Sequence, residues 1–193
     1  MKQNVLLLLL MSIFSIYSCK NNSTKVEPNN TDTTHFFSIA NFFTSEIKTL
    51  ETTPYPIYQI ISKPNGTKDS SAIDKTLFAL LAKQFIACDI SDSVQKQAYK
   101  EVAFNDNSTK SITLNYTTSK KDLPIQSIDV LFDEETNHVR RVFIRKILNN
   151  KDSSTTVLYS WKANMSFTIT KSVIKKDGTK YAEQQYVNRN DGN

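Results

Sequence analysis

Apolar residues follow three successive patterns along the chain: an unbroken run, a 3.6-residue period and a strict alternation. The run is Val5 to Ile16. From His35 onward Phe36, Ile39, Ala40, Phe43, Ile47 and Leu50 recur at helical spacing, with Thr34 as a cap and Pro54 as a stop, which predicts a first amphipathic helix. Pro54 and Pro56 force an extended path into a short strand, Tyr58 to Ile61, that ends at a Lys63-Pro64-Asn65-Gly66 turn. Asp74 caps a second predicted helix whose inward stripe is Leu77, Leu80, Leu81 and Phe85, and a shorter helical turn is expected from Asp92 to about Lys100.

Beyond that point the period drops to 2. Ile112, Leu114 and Tyr116 alternate with Thr113, Asn115 and Thr117, and Ile128, Val130 and Phe132 with Ser127, Asp129 and Leu131. Val142 with Ile144, the set Val157, Tyr159 and Trp161, and the set Phe167, Ile169 and Val173 continue the pattern, with a last strand near Tyr181 to Val187. Turn residues separate these at 121–124, 133–137, 149–154 and 177–178. The expected fold is therefore α+β, with N-terminal helices packed on one face of a twisted antiparallel β-meander of about six to seven strands. The opposite face is expected to be rich in Ser, Thr, Lys and Arg.

The unbroken run has a different meaning. Lys2, the apolar stretch Val5 to Ile16 and the small Ser18 have the order of a secretory signal peptide, and the stretch is shorter than the roughly 20 residues that span a bilayer. Ile16-Tyr17-Ser18-Cys19 resembles the bacterial lipobox. That resemblance implies cleavage before Cys19, a thioether-linked diacylglycerol on its sulfur and an acylated amino group, an anchor of several chains that holds stably to a bilayer. Lys20 to Thr34 has almost nothing to bury and reads as a flexible tether with an end-to-end distance of roughly 20 Å. The organisation is thus 1–18 signal peptide, 19–34 lipidated cysteine and tether, and 35–190 a single globular domain.

Composition excludes several function classes. Removing the leader takes away Lys2 and no acidic residue, so the formal charge falls by one from +5. So small an excess, spread along an exported chain, speaks against a nucleic-acid partner. With only three glycines, Gly66, Gly178 and Gly192, no phosphate loop, dinucleotide fingerprint or nucleophile elbow can be written, and no cofactor is expected. Cys88 is left without an intrachain partner once Cys19 is acylated, and its apolar helical setting is that of a buried small hydrophobe.

The stretches YQIISKPNG, KTLFALLAKQF followed by DISD, SITLNYTTSKKDLPIQSIDVLFDEETNHVRRVFI and WKANMSF resemble a group of small lipoproteins of Bacteroidota. The resemblance covers most of the mature chain. It implies the acylated Cys19 and carries over no other functional residue. In that group an acidic run after the cysteine goes with surface export. Lys20-Asn21-Asn22 is not acidic, which implies an anchor facing the periplasm.

Four constellations carry possible chemistry. His35 and His138 lie at no metal-ligand spacing, so no metal site is expected, although His138 and Cys88 could meet as a dyad. Asp133-Glu134-Glu135 could open a calcium loop, but between two alternating strands it reads as a hairpin turn. Arg141 and Arg145 flank Phe143 on one strand face, with Lys146 adjacent. They could bind an anionic sugar, lipid headgroup or carboxylate, or form a solvated face with cross-strand ion pairs. Trp161, Tyr159, Phe167, Tyr116 and Phe132 could line an apolar pocket, or be the core under the helices.

The expected function is a non-enzymatic envelope lipoprotein, a binding or interaction module on the periplasmic side of the outer membrane, with the membrane and an envelope protein as partners. A carrier or chaperone for a hydrophobic envelope component is the alternative and requires a cavity of some 300 Å³ between helices and sheet. A hydrolase without recognisable motif would require convergent ionisable groups of perturbed pKa.

Overall fold

A computed structural model describes residues 36–52 and 56–189. The leader, Cys19, the tether, Thr34, His35 and Pro54 lie outside those residues. The described chain runs α1 (Ile39–Lys48), β1 (Ile57–Ser62), β2 (Lys68–Ile73), α2 (Lys75–Ile86), β3 (Lys100–Asp106), β4 (Ser111–Thr117), β5 (Ile125–Asp133), β6 (Val139–Asn149), β7 (Ser153–Lys162), β8 (Ser166–Lys175) and β9 (Lys180–Asn188). All nine strands join one antiparallel sheet in the order β2-β1-β9-β8-β7-β6-β5-β4-β3.

This corrects the α+β expectation of helices on a six-to-seven-strand meander: the described residues form a β-rich fold of nine strands with two α-helices. Two strands escaped the alternation argument because both are sheet edges. β2, with the sequence KDSSAI, is solvated along nearly its whole length and shows no apolar period. β3, with the sequence KEVAFND, follows Asp92, whose carboxylate accepts from the Val94 and Gln95 amides and starts only a short 3₁₀ turn at Gln95–Ala98. The meander also closes onto the N-terminal hairpin through β9 and β1, a pairing across more than a hundred residues that no local signal announces.

Local chemistry accounts for the remaining boundaries. Ser38 caps α1, its Oγ accepting from the Asn41 amide at 3.3 Å, and Asp74 caps α2, its Oδ1 accepting from Leu77 at 2.7 Å. Gly66 closes the β1–β2 turn and Gly178 the β8–β9 turn at φ +84° and +85°, conformations that suit a residue without Cβ.

The two helices cover one sheet face. Phe43 of α1 and Phe78, Ala82 and Phe85 of α2 are fully buried there, against Tyr159, Trp161 and Phe167 of β7 and β8. The inward stripe of α2 is therefore turned by one position from the expected one, and Leu80 is 61% exposed. KTLFALLAKQFI is apolar on most of its circumference, so its periodicity fits two faces, and the aromatic partners select between them. Phe85 sits edge-on to Trp161 at 5.0 Å and Phe43 to Trp161 at 4.9 Å, while Trp161 stacks on Phe167 at 5.0 Å.

A buried charge cluster ties this layer together. Glu46 Oε2 accepts from Arg189 Nη2 at 2.6 Å, Trp161 Nε1 at 2.9 Å and the Asn164 amide at 3.0 Å. Arg189 also donates to the Glu46 and Asn164 oxygens and to Thr49 Oγ1. The cluster pins α1 to the β7–β8 turn and to the end of β9, and burial of Arg189 pulls its pKa down against the opposing pull of Glu46.

Candidate functional site: the helix-free sheet face

Strand register assigns each side chain to a face. Opposite the helices, one row reads Val102, Asn115, Asp129, Phe143, Ser160, Thr168, Tyr186 and Ile60 across eight strands. The row beside it reads Phe104, Thr113, Leu131, Arg141, Lys162 and Ser166. Arg145 and Leu158 stand together in the row on the other side. The hydroxyl and basic residues expected on this face are present. The apolar ones were not expected: Tyr58, Ile60, Val102, Phe104, Leu158 and Ile174, six of the ten large apolar side chains exposed among the described residues, all project here. Monomeric proteins seldom gather exposed apolar groups on one side, and where they do the side is commonly used.

Arg141, Phe143 and Arg145 occupy β6, the sixth strand from the β2 edge and the fourth from the β3 edge. Alternate residues of a strand share a face, so the arginines stand roughly 13 Å apart with the phenyl ring between them. Phe143 is half-buried and both arginines are exposed. Lys146, adjacent in sequence, belongs to the helix-side face, where it pairs with Val157 in register. Phe143 and Asp129 form a shared wall between two shallow depressions of about 430 and 500 Å³. The first is flanked by Arg145, Leu158 and Thr170, the second by Arg141, Phe104 and Leu131.

The two guanidiniums are uncommitted. The ion pairs among the described residues are Lys63–Asp69, Lys110–Glu135, Lys171–Glu183 and Arg189–Glu46, and none uses Arg141 or Arg145. The nearest facing carboxylate in register, Asp129, accepts instead from Asn115 Nδ2 at 2.6 Å. The face is thus solvated but lacks the cross-strand ion pairs that such a face would ordinarily carry.

The other constellations fall elsewhere. Asp133 closes the β5–β6 turn, its Oδ1 accepting from the Glu135 and Thr136 amides and from Thr136 Oγ1, and these bonds hold its carboxyl below the usual range. Glu134 turns to Asn105 and Glu135 to Lys110, so the three carboxylates diverge. Among the described residues no group of three His, Cys, Asp or Glu side chains is placed to share a metal ion. Cys88 is fully buried, its Sγ donates to the Gln84 carbonyl at 3.3 Å, and burial pushes its pKa to about 11 despite Lys146 nearby. His138 lines a depression of about 590 Å³ beside α1, with Phe37, Phe42 and Phe132, and no hydrogen bond joins it to Cys88.

Trp161, Tyr159, Phe167 and Tyr116 are core residues, and Phe132 packs partly buried against them. The Tyr159 and Phe167 rings pack edge to face with those of Phe78 and Phe85 between helices and sheet. Tyr159 is pushed to about 12 and Tyr116 is raised as well, both by burial first, which marks packing and not a convergent acid–base site.

The sequence named Arg141, Phe143 and Arg145 but missed Phe104, Leu131 and Leu158, which complete the two depressions. Leu131 and Leu158 sit at polar-phase positions of their alternating strands, and that mismatch was the available signal. Comparisons with protein-family models, curated proteins and solved structures return no match.

Proposed function

We propose that this chain is a lipoprotein of the cell envelope, anchored through Cys19 on the periplasmic side of the outer membrane, and that its helix-free sheet face binds an envelope protein without catalysing a reaction. The supporting observation is the gathering of exposed apolar residues on the same face as two uncommitted arginines, with Leu158 directly beside Arg145. Arginine and aromatic side chains are the groups that most often dominate protein interfaces. Nine strands at about 4.8 Å spacing and seven residues at about 3.3 Å rise give the face roughly 1,000 Å², enough for the ~800 Å² per partner of a standard complex. The matching partner surface carries two carboxylates about 13 Å apart with an apolar group between them. The resemblance to small Bacteroidota lipoproteins and the lipobox-like Ile16-Tyr17-Ser18-Cys19 support the location.

Two experiments separate the parts. Intact mass and labelled fatty acid should find the leader removed and Cys19 acylated, and a Cys19→Ser chain that keeps both its label and its membrane fractionation would overturn the anchor. For the face, a photo-crosslinking amino acid is placed at Phe143 and, in a second chain, at Leu80 on the helix side. One protein adduct is expected from the first position and not from the second, and it should disappear when Arg141→Glu and Arg145→Glu are added. An adduct indifferent to the charge reversals, or none at position 143, defeats the binding face.

A further inference from the structure

The sheet has two edges of opposite character. β2 is polar, exposed and braced by the Lys63–Asp69 pair, the usual means of discouraging strand addition. β3 is the other edge, with β4 its only strand neighbour among the described residues, a continuous seven-residue register and no proline or bulge. Val102 and Phe104 are 43% and 51% exposed on it, and Ala103 between them is exposed as well. A seven-residue, unbulged and partly apolar edge strand is a template for another strand.

The sequence of this edge is complementary to itself. When KEVAFND is laid antiparallel to a second copy about an axis through Ala103, Lys100 faces Asp106, Glu101 faces Asn105, and Val102 faces Phe104. Lys100, Val102, Phe104 and Asp106 all share the helix-free face, so the charged and apolar pairs form on the same side of the joined sheet. A one-residue slip would put each of these side chains opposite residues of the other face. From this we infer that β3 pairs with β3 of a second copy of the chain, joining two nine-stranded sheets into one through a two-fold axis at Ala103. The helix layers then lie on one side, and the two Arg141–Phe143–Arg145 strips, seven strand spacings apart, stand roughly 34 Å from each other on the other. The pairing stands on the edge alone and does not depend on what the open face binds.

Cross-linking of the full chain in native membranes tests the register. Ala103→Cys places two cysteines opposite each other at an antiparallel Cα separation of about 4.5 to 5.5 Å, inside disulfide range, whereas Val102→Cys meets its own copy only diagonally at about 7 to 8 Å. Under mild oxidation the first is expected to form a covalent dimer, and Val102→Cys and Ser70→Cys on β2 are not. Buried Cys88 contributes no background. Sedimentation of the detergent-solubilised chain supplies the second readout. Lys100→Asp should weaken the dimer about tenfold in the natural chain yet strengthen it when Asp106→Lys is already present. That reversal of sign cannot come from damage to the turn that Asp106 braces through Ser108 and Thr109. Failure of Ala103→Cys to link faster than the two controls, or weakening by Lys100→Asp in both backgrounds, overturns the inference.

Discussion

Removing one partner from the Glu46 cluster should cost more than any other single polar change in the described chain. The side chains of Glu46 and Arg189 are 8% and 3% exposed, and Glu46 Oε2 is shared by Arg189 Nη2, Trp161 Nε1 and the Asn164 amide. Glu46→Ala strands the buried Arg189 guanidinium, the buried Trp161 N–H and the part-buried Asn164 amide together. Breaking a buried pair in this way costs about 3 to 5 kcal/mol, whereas replacing both charges by apolar groups of similar size costs much less. For a domain of this size that corresponds to a fall in Tm of about 6 to 20 °C. Urea unfolding of Glu46→Ala, Arg189→Met and the double variant Glu46→Leu/Arg189→Met measures it, with exposed Lys48→Ala as the reference. The double variant should be more stable than either single one. A Glu46→Ala loss below about 1 kcal/mol, or additive losses in the double variant, would refute the view that Glu46 and Arg189 act as one unit.

Alkaline stability and thiol reactivity follow from the same burial. Cys88 and Tyr159 have pKa values raised to about 11 and about 12, so their contributions are complete below about pH 9 and are lost as pH rises through those values. Denaturation midpoints should hold to pH 9 and then decline, less steeply in Cys88→Ala, and iodoacetamide should label native Cys88 far more slowly than the unfolded chain. An undiminished decline in Cys88→Ala would remove the thiol from this account. Asp74→Ala deprives the Leu77 amide of its acceptor and should lower stability by about 1 kcal/mol in urea unfolding, with Asp74→Asn or Asp74→Ser recovering most of it.

Much of this molecule was determined by local chemistry. The alternation from Ile112 to Val187 placed six strands because a half-buried strand must present one face to water. Asp74, Gly66 and Gly178 marked their cap and turns because few residues satisfy those backbone requirements. The strip Arg141, Phe143 and Arg145 was legible because residues two apart on a strand share a face.

What the tertiary structure decided depends on partners distant in sequence. Edge strands β2 and β3 bury too little to leave an apolar period, so only the sheet that recruits them reveals them. The rotation of α2 was decided by Trp161 and Phe167 packing against Phe78 and Phe85, since the helix alone is apolar around most of its surface. Trp161 and Arg189 lie 115 and 143 positions after Glu46, and no local pattern requires a glutamate on an amphipathic helix to be buried. The open face is likewise a product of assembly: Val102, Leu158 and Tyr186 come onto the same face as Phe143 only when antiparallel pairing aligns strands scattered over the second half of the chain.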